Sequence, residues 1–258
     1  MKVALIQTSL LWEQPEANRS MLGEKMIPLA GRTDIIVLPE MFPTGFSMNA
    51  EQLAEAPDGP TFQWMREQAK STGAVVTGSF ICREKDRFTN RLLWVQPDGE
   101  TVFYDKKHLF SLAGEHEVFS PGATHLTVIW KGFRIRPLIC YDLRFPVWAR
   151  QPVAPEERYD LLLYVANWPQ RRVHHWKALL VARAIENQCF TVGLNIVGTD
   201  GAGLEYTGDS MITDFFGHVL STGSMTEQTL ITDLDLAKLQ AYRTQFPFLD
   251  DADNFCWH

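Results

Sequence analysis

Three residues of complementary chemistry leave the ends of apolar runs in this chain. Glu40 follows Asp34-Ile-Ile-Val-Leu-Pro39, Lys106 follows Thr101-Val-Phe-Tyr-Asp105, and Cys140 follows Phe133-Arg-Ile-Arg-Pro-Leu-Ile139. A thiol can attack an electrophilic carbon once a carboxylate takes its proton, and a nearby ammonium favours the thiolate and can hold a developing oxyanion. Tyr141-Asp142-Leu143-Arg144-Phe145-Pro146 breaks the strand that ends at Cys140. A nucleophile on such a sharp turn is presented to substrate while a backbone N–H just beyond it, here that of Tyr141, faces the same point. Each residue also has an ordinary reading: Glu40 as a loop carboxylate, Cys140 as an inert buried thiol, and Lys106 or its neighbour Lys107 as a solvated surface charge. Glu115 stands between loop charge and a carboxylate that orients the lysine or the base. The joint pattern favours chemistry, because all three complementary groups leave strand ends of one sheet system.

The elements that must position them read as follows. Runs apolar on both faces, at residues 3–7, 34–38, 74–81, 135–140 and 159–166, predict strands covered on both sides. Helix-like stretches fall at about 14–30, 60–72 and 173–188, with Pro60 in a first turn. Pro97-Asp98-Gly99-Glu100 and Lys131-Gly132 predict hairpins within 87–106 and 125–140. Further strands are expected at about 190–197, 206–213 and 228–233, a short helix near 234–244, and an aromatic tail from Phe246 to His258. The 258 residues predict one α/β domain around a continuous core.

Composition narrows the function. With 45% hydrophobic and 21% charged residues the chain has the balance of a globular protein. Its net charge of -7 and pI near 5.5 oppose nucleic-acid binding, since the densest basic cluster is only Arg171-Arg172. Cys82, Cys140, Cys189 and Cys256 lack Cys-x-x-Cys pairing, which suits a reducing compartment such as the cytoplasm. Residues 1–8 read as a strand rather than an export signal, and no apolar window is long enough to span a bilayer. No metal or cofactor is expected: His174-His175 are adjacent and no His-Glu-x-x-His spacing exists. Gly198-Thr-Asp-Gly201-Ala-Gly203 has no following helix to cradle a dinucleotide phosphate.

These residues carry a resemblance to the nitrilase superfamily of carbon–nitrogen hydrolases that runs nearly end to end. Val37-Leu38-Pro39-Glu40 is similar to that family's glutamate motif, Asp105-Lys106-Lys107-His108-Leu109-Phe110 to its lysine motif, and Cys140-Tyr141-Asp142-Leu143-Arg144-Phe145-Pro146 to its cysteine motif. Glu115, six residues before Pro121, matches the second glutamate; residues Trp176 to Asn187 resemble the helix after the cysteine. Asp105 and Lys107 depart from the family pattern around the lysine, and the spacing to His108-Leu109-Phe110 selects Lys106. Ala166-Asn167-Trp168-Pro169 and Tyr141 to Trp148 resemble the bacterial ω-amidase branch, the 2-oxoglutaramate amidases.

The resemblance implies an α-β-β-α four-layer sandwich, two mixed sheets flanked by helices, with two molecules pairing and the 246–258 tail at their interface. It also implies cleavage of small ω-amides of 2-oxo dicarboxylic acids through a thioester, with N-carbamoyl amine or nitrile hydrolysis as the alternative. Such a substrate carries a far carboxylate that needs a cation. Arg144 and Arg172 are candidates, with Asn167 and Trp168 as pocket walls; ion pairs for the arginines and core packing for the tryptophan are the competing readings.

Overall fold

The computed structural model describes residues 1–253. In chain order its elements are β1 (Lys2–Gln7), α1 (Pro15–Met26), β2 (Ile35–Val37), α2 (Ala50–Leu53), α3 (Pro60–Thr72), β3 (Val75–Glu84), β4 (Arg87–Val95), β5 (Thr101–Asp105), α4 (Glu115–Val118), β6 (Val128–Trp130) and β7 (Phe133–Ile139). There follow β8 (Leu161–Val165), α5 (Val173–Glu186), β9 (Phe190–Leu194), β10 (Val197–Thr199), β11 (Glu205–Thr207), β12 (Met211–Thr213), β13 (Val219–Thr222), β14 (Gln228–Asp233) and α6 (Leu236–Gln245).

Twelve of the strands form two six-stranded mixed sheets, ordered β14-β1-β2-β3-β4-β5 and β13-β12-β9-β8-β7-β6, and β10 pairs with β11 apart from them. Parallel pairing at the centre of each, β1-β2-β3 and β7-β8-β9, explains why those strands read as unbroken apolar runs. On one face of the first sheet, Ala4, Ile6, Ile36, Leu38 and Val76 pack with Leu22 and Met26 of α1 and Met65 and Ala69 of α3. The alternate residues Val3, Leu5, Ile35, Val37 and Val75 belong to a second cluster, which runs on through β7, β8 and β9 to Trp176 and Leu180 of α5. The layers are therefore helix, sheet, sheet, helix, as expected. Gly193 lets α5 lie close on β9: a Cβ there would come within 2.5 Å of Leu180.

Two elements differ from expectation. The strand predicted over 206–213 is two strands in different sheets, because Gly208 and Asp209 both take positive φ and turn the chain between them. β13 was not anticipated; its Val219 and Leu220 are largely exposed, so the strand lacks an apolar side to mark it. Gly198 to Gly203 lie in the β10-β11 hairpin, with no helix after them. Of the aromatic tail, residues 254–258 lie outside the described residues. The part before them is anchored by Arg158, which donates to Asp250 and to the Leu249 carbonyl. Among the described residues no helix is long and apolar enough to cross a membrane.

Candidate active site

β4 runs antiparallel to both β3 and β5, so β2, β3 and β5 point the same way and the chain leaves β2 and β5 on one side of the first sheet. Glu40 comes from the β2 exit, where Met41 turns the chain away at φ 44° and Ser79 Oγ accepts the Met41 N–H at 2.9 Å. Lys106 comes from the β5 exit. Its own N–H donates to the Asn90 carbonyl at 3.0 Å and its carbonyl accepts from Gly122 at 2.9 Å. Position 122 admits only glycine, since a Cβ would lie 2.1 Å from the Asp105 carbonyl oxygen. Cys140 comes from the second sheet, at the end of β7, and opens a short 3-10 turn (Cys140–Arg144) at φ 42°. A non-glycine residue held there is strained by about 1–3 kcal/mol and persists only where its surroundings fix it.

The side chains converge. Lys106 Nζ lies 2.9 Å from Glu40 Oε1 and 2.9 Å from both Glu115 oxygens. All three side chains are fully buried. Glu40 also accepts from Asn90 Nδ2 at 2.9 Å and from the Asn167 N–H at 2.8 Å. Glu115 lies in α4, not in the loop anticipated for it, and its second oxygen takes the Phe110 N–H. Burial alone would discharge Lys106, but Glu115 and Glu40 outweigh it and hold its pKa above the ordinary lysine value. Burial raises the Glu115 carboxyl, with Lys106 opposing and Glu40 reinforcing.

Burial also pushes the Cys140 thiol well above its ordinary value; the Glu40 charge adds to this and Lys106 works against it. These influences favour the neutral thiol, and Glu40 is the acceptor nearest to it in the proposed chemistry. Cys82 and Cys189 are fully buried, and burial pushes them to about 11 and about 12. Among the three described cysteines, Cys140 is the one that opens onto a cavity.

That cavity, about 510 Å³, is lined by Lys106, Cys140, Tyr141, Arg144, Asn167, Trp168, Arg171 and Arg172, with Trp12, Phe46, Met48 and Phe110 among its apolar walls. The Arg144 guanidinium lies over the Trp168 ring at 4.8 Å and that of Arg172 over Phe110 at 5.1 Å. Neither forms an ion pair, so the competing reading of a structural salt bridge does not hold for the described residues. Trp168 is a buried wall whose indole donates to the Arg172 carbonyl at 2.8 Å. Asn167 borders the cavity, yet its amide nitrogen donates to the Glu40 carbonyl at 2.8 Å, so its first effect is on Glu40. Lys107 points instead toward the Trp148 ring, 5.4 Å away, and Asp105 pairs with Arg91. Among the described residues no group of three or more His, Cys, Asp or Glu is placed to hold a metal ion.

The sequence profile of the carbon–nitrogen hydrolases matches residues 2–244. The chain belongs to the carbon–nitrogen hydrolase family. It is 44% identical over 256 residues to omega-amidase YafV of Yersinia enterocolitica, covering 99% of this chain and 98% of that one. It is 32% identical to the 2-oxoglutaramate amidase of Bacillus subtilis, covering 96% of each. Among solved structures, XC1258 of Xanthomonas campestris, a CN-hydrolase superfamily protein with an arsenic adduct in its active site, superposes with a TM-score of 0.98 at 45% identity, over 100% of this chain and 99% of that one. This carbon–nitrogen hydrolase is thus an enzyme of the amidase type. Asn90, which holds the Glu40 carboxylate, was not singled out from the sequence: a polar residue inside a strand carries no local mark of what it faces.

Proposed function

We propose that this amidase releases ammonia from the ω-amides of small 2-oxo dicarboxylic acids, such as 2-oxoglutaramate and 2-oxosuccinamate. The observation that carries the proposal is the buried Lys106 ammonium, bonded at once to Glu40 and Glu115 beside a thiol that shares a cavity with Arg144 and Arg172, neither of which has a carboxylate partner among the described residues. The omega-amidase and 2-oxoglutaramate amidase relatives support the substrate class.

In this mechanism Glu40 takes the Cys140 proton as the sulfur bonds to the amide carbon, and the carbonyl electrons move to oxygen. The Lys106 ammonium and the Tyr141 N–H hold that oxyanion. Glu115 keeps Lys106 charged and in place. The oxyanion collapses, the C–N bond breaks, and Glu40 returns its proton to the departing ammonia. Water then gives a proton to Glu40 and adds to the thioester carbon; the second oxyanion expels the sulfur, which regains its proton. Arg144 and Arg172 are assigned to the distal carboxylate, with Trp168 and Asn167 bounding its path.

The chain is read as one catalytic domain that pairs as a homodimer. Exposed Phe216 and Phe248, together with Tyr242, offer an aromatic surface for a second copy, and sedimentation tests the pairing. Ammonia release from a panel of 2-oxo ω-amides, glutamine, nitriles and N-carbamoyl amines tests the substrate class. Turnover confined to nitriles or carbamoyl amines overturns it.

A further inference from the structure

The three reacting groups come from two different sheets, so something must fix the distance between the sulfur and the ammonium. Asp142 is fully buried, two residues beyond Cys140 in the same turn, and the mechanism above gives it no role. Its Oδ2 accepts the Ile139 N–H at 3.1 Å, which closes a ring around Cys140, and the Tyr104 hydroxyl at 2.7 Å. Its Oδ1 accepts the His108 N–H at 3.0 Å and faces His108 Nδ1 at 2.8 Å. Tyr104 and His108 stand two residues before and two residues after Lys106. One carboxylate therefore binds the chain on both sides of the lysine and the residue just before the nucleophile.

The surroundings keep this contact rigid. The Tyr104 hydroxyl accepts from Trp148 Nε1 at 3.0 Å and from the Lys107 N–H at 3.3 Å. The His108 ring stacks on Phe145 at 3.7 Å with 8° between planes, and Phe145 belongs to the segment that leaves the nucleophile turn. With both side-chain oxygens accepting from donors, Asp142 is satisfied where an amide in its place would turn a donor toward a donor.

We propose that Asp142 is a positioning residue: it sets the spacing between the Cys140 sulfur and the Lys106 ammonium by bonding to both chain segments at once. This rests on the catalytic roles given above, and it makes a separate claim, that the strained φ of Cys140 and the register of Lys106 share one determinant. A displacement of about 1 Å between reacting groups can lower turnover by about 10².

The test compares Asp142→Asn and Tyr104→Phe with the wild-type chain, using ammonia release from 2-oxoglutaramate and, independently of substrate, the rate of Cys140 alkylation by iodoacetamide at pH 8. For folded Asp142→Asn the expected result is a kcat about 10² lower with KM within about threefold, and alkylation slowed by about tenfold. Tyr104→Phe keeps the ring and removes one of the four bonds, so kcat is expected to fall by about tenfold with KM again unchanged; if Asp142→Asn does not fold, this variant decides. A wild-type kcat in either folded variant overturns the proposal, as does a loss carried by KM alone. Should the wild type fail to release ammonia, the substrate reading fails and the alkylation comparison still tests the positioning: slowed alkylation supports it and an unchanged rate overturns it.

Discussion

The floor of the cavity and its mouth handle charge in opposite ways. On the floor, Glu40, Lys106 and Glu115 are fully buried, and every charged atom has a partner at hydrogen-bond distance. At the mouth, Arg144 and Arg172 rest on aromatic faces, Arg144 also reaches His175 Nδ1 at 3.1 Å, and among the described residues neither forms an ion pair; burial and the neighbouring Arg171 and Arg144 charges lower the Arg172 pKa. A saturated network fixes geometry before substrate enters, and in the proposed mechanism Lys106 turns one of its bonds to the oxyanion as Glu40 takes up the thiol proton. Glu13 and Asp200 also line the cavity, but among the described residues neither is at ion-pair distance from these arginines, which leaves them able to take an anionic ligand. On the proposed mechanism chemistry and recognition are thereby separated in space, and substitutions in the two regions are expected to have different kinetic signatures.

The largest effect falls on the floor. Cys140→Ala removes the nucleophile, and turnover is expected to drop on the order of 10⁴-fold or more while the fold is kept, read as ammonia release alongside circular dichroism. Full activity in that variant would end the covalent mechanism. Lys106→Ala is expected to lower kcat by about 10²–10³. It leaves two buried carboxylates facing each other, so stability should also fall, by about 3–5 kcal/mol in urea unfolding. A folded variant with normal kcat breaks the assignment of the floor to chemistry.

Substitutions at the mouth should do the reverse. Arg172→Ala or Arg144→Ala is expected to raise KM for a 2-oxo ω-amide by about tenfold, as for loss of a charged hydrogen bond, with kcat within about threefold. If kcat falls instead and KM holds, the separation between floor and mouth is wrong.

Two smaller effects concern pH. Because burial and Glu40 hold the Cys140 thiol above its ordinary 9.0, alkylation of Cys140 should keep accelerating from pH 7 through pH 9 without a plateau. A plateau at or below pH 8 would mean that Lys106 wins over burial. Beneath the floor, His125 stacks on Trp148 at 3.7 Å; burial and the Arg136 charge push its pKa from 6.5 down to about 4. The folded value lies below the unfolded one, so the unfolded chain binds the extra proton between them. Stability from this group is present above pH 6.5 and is lost as pH falls toward 4. His125→Gln should flatten that slope in urea midpoints measured at pH 7 and 4.5.

Much of this arrangement is legible in the residue order. The central strands β2 and β7 are apolar on both faces, so their ends are sharply marked, and Glu40 and Cys140 are the polar residues just beyond them; Lys106 follows the edge strand β5. The less legible parts have a common cause. Asn90 lies within a strand, Glu115 sits in a single helical turn after Gly114, and Asp142 follows the nucleophile as an ordinary turn carboxylate. Their roles depend on partners far away in the chain, which no local periodicity reports. The break at Gly208-Asp209 escaped for a different reason: residues on either side are equally strand-like, and only the chain's choice between two sheets separates them.

The pairing of β1 with β14 joins Lys2 to Asp233 across the edge of the first sheet. During synthesis that side of β1 stays open until β14 has emerged, so a nascent chain carries a strongly apolar strand that only β2 can pair. Catalytic competence should appear late and abruptly, and a chain cut short before residue 228 would present β1 as a sticky border for aggregation.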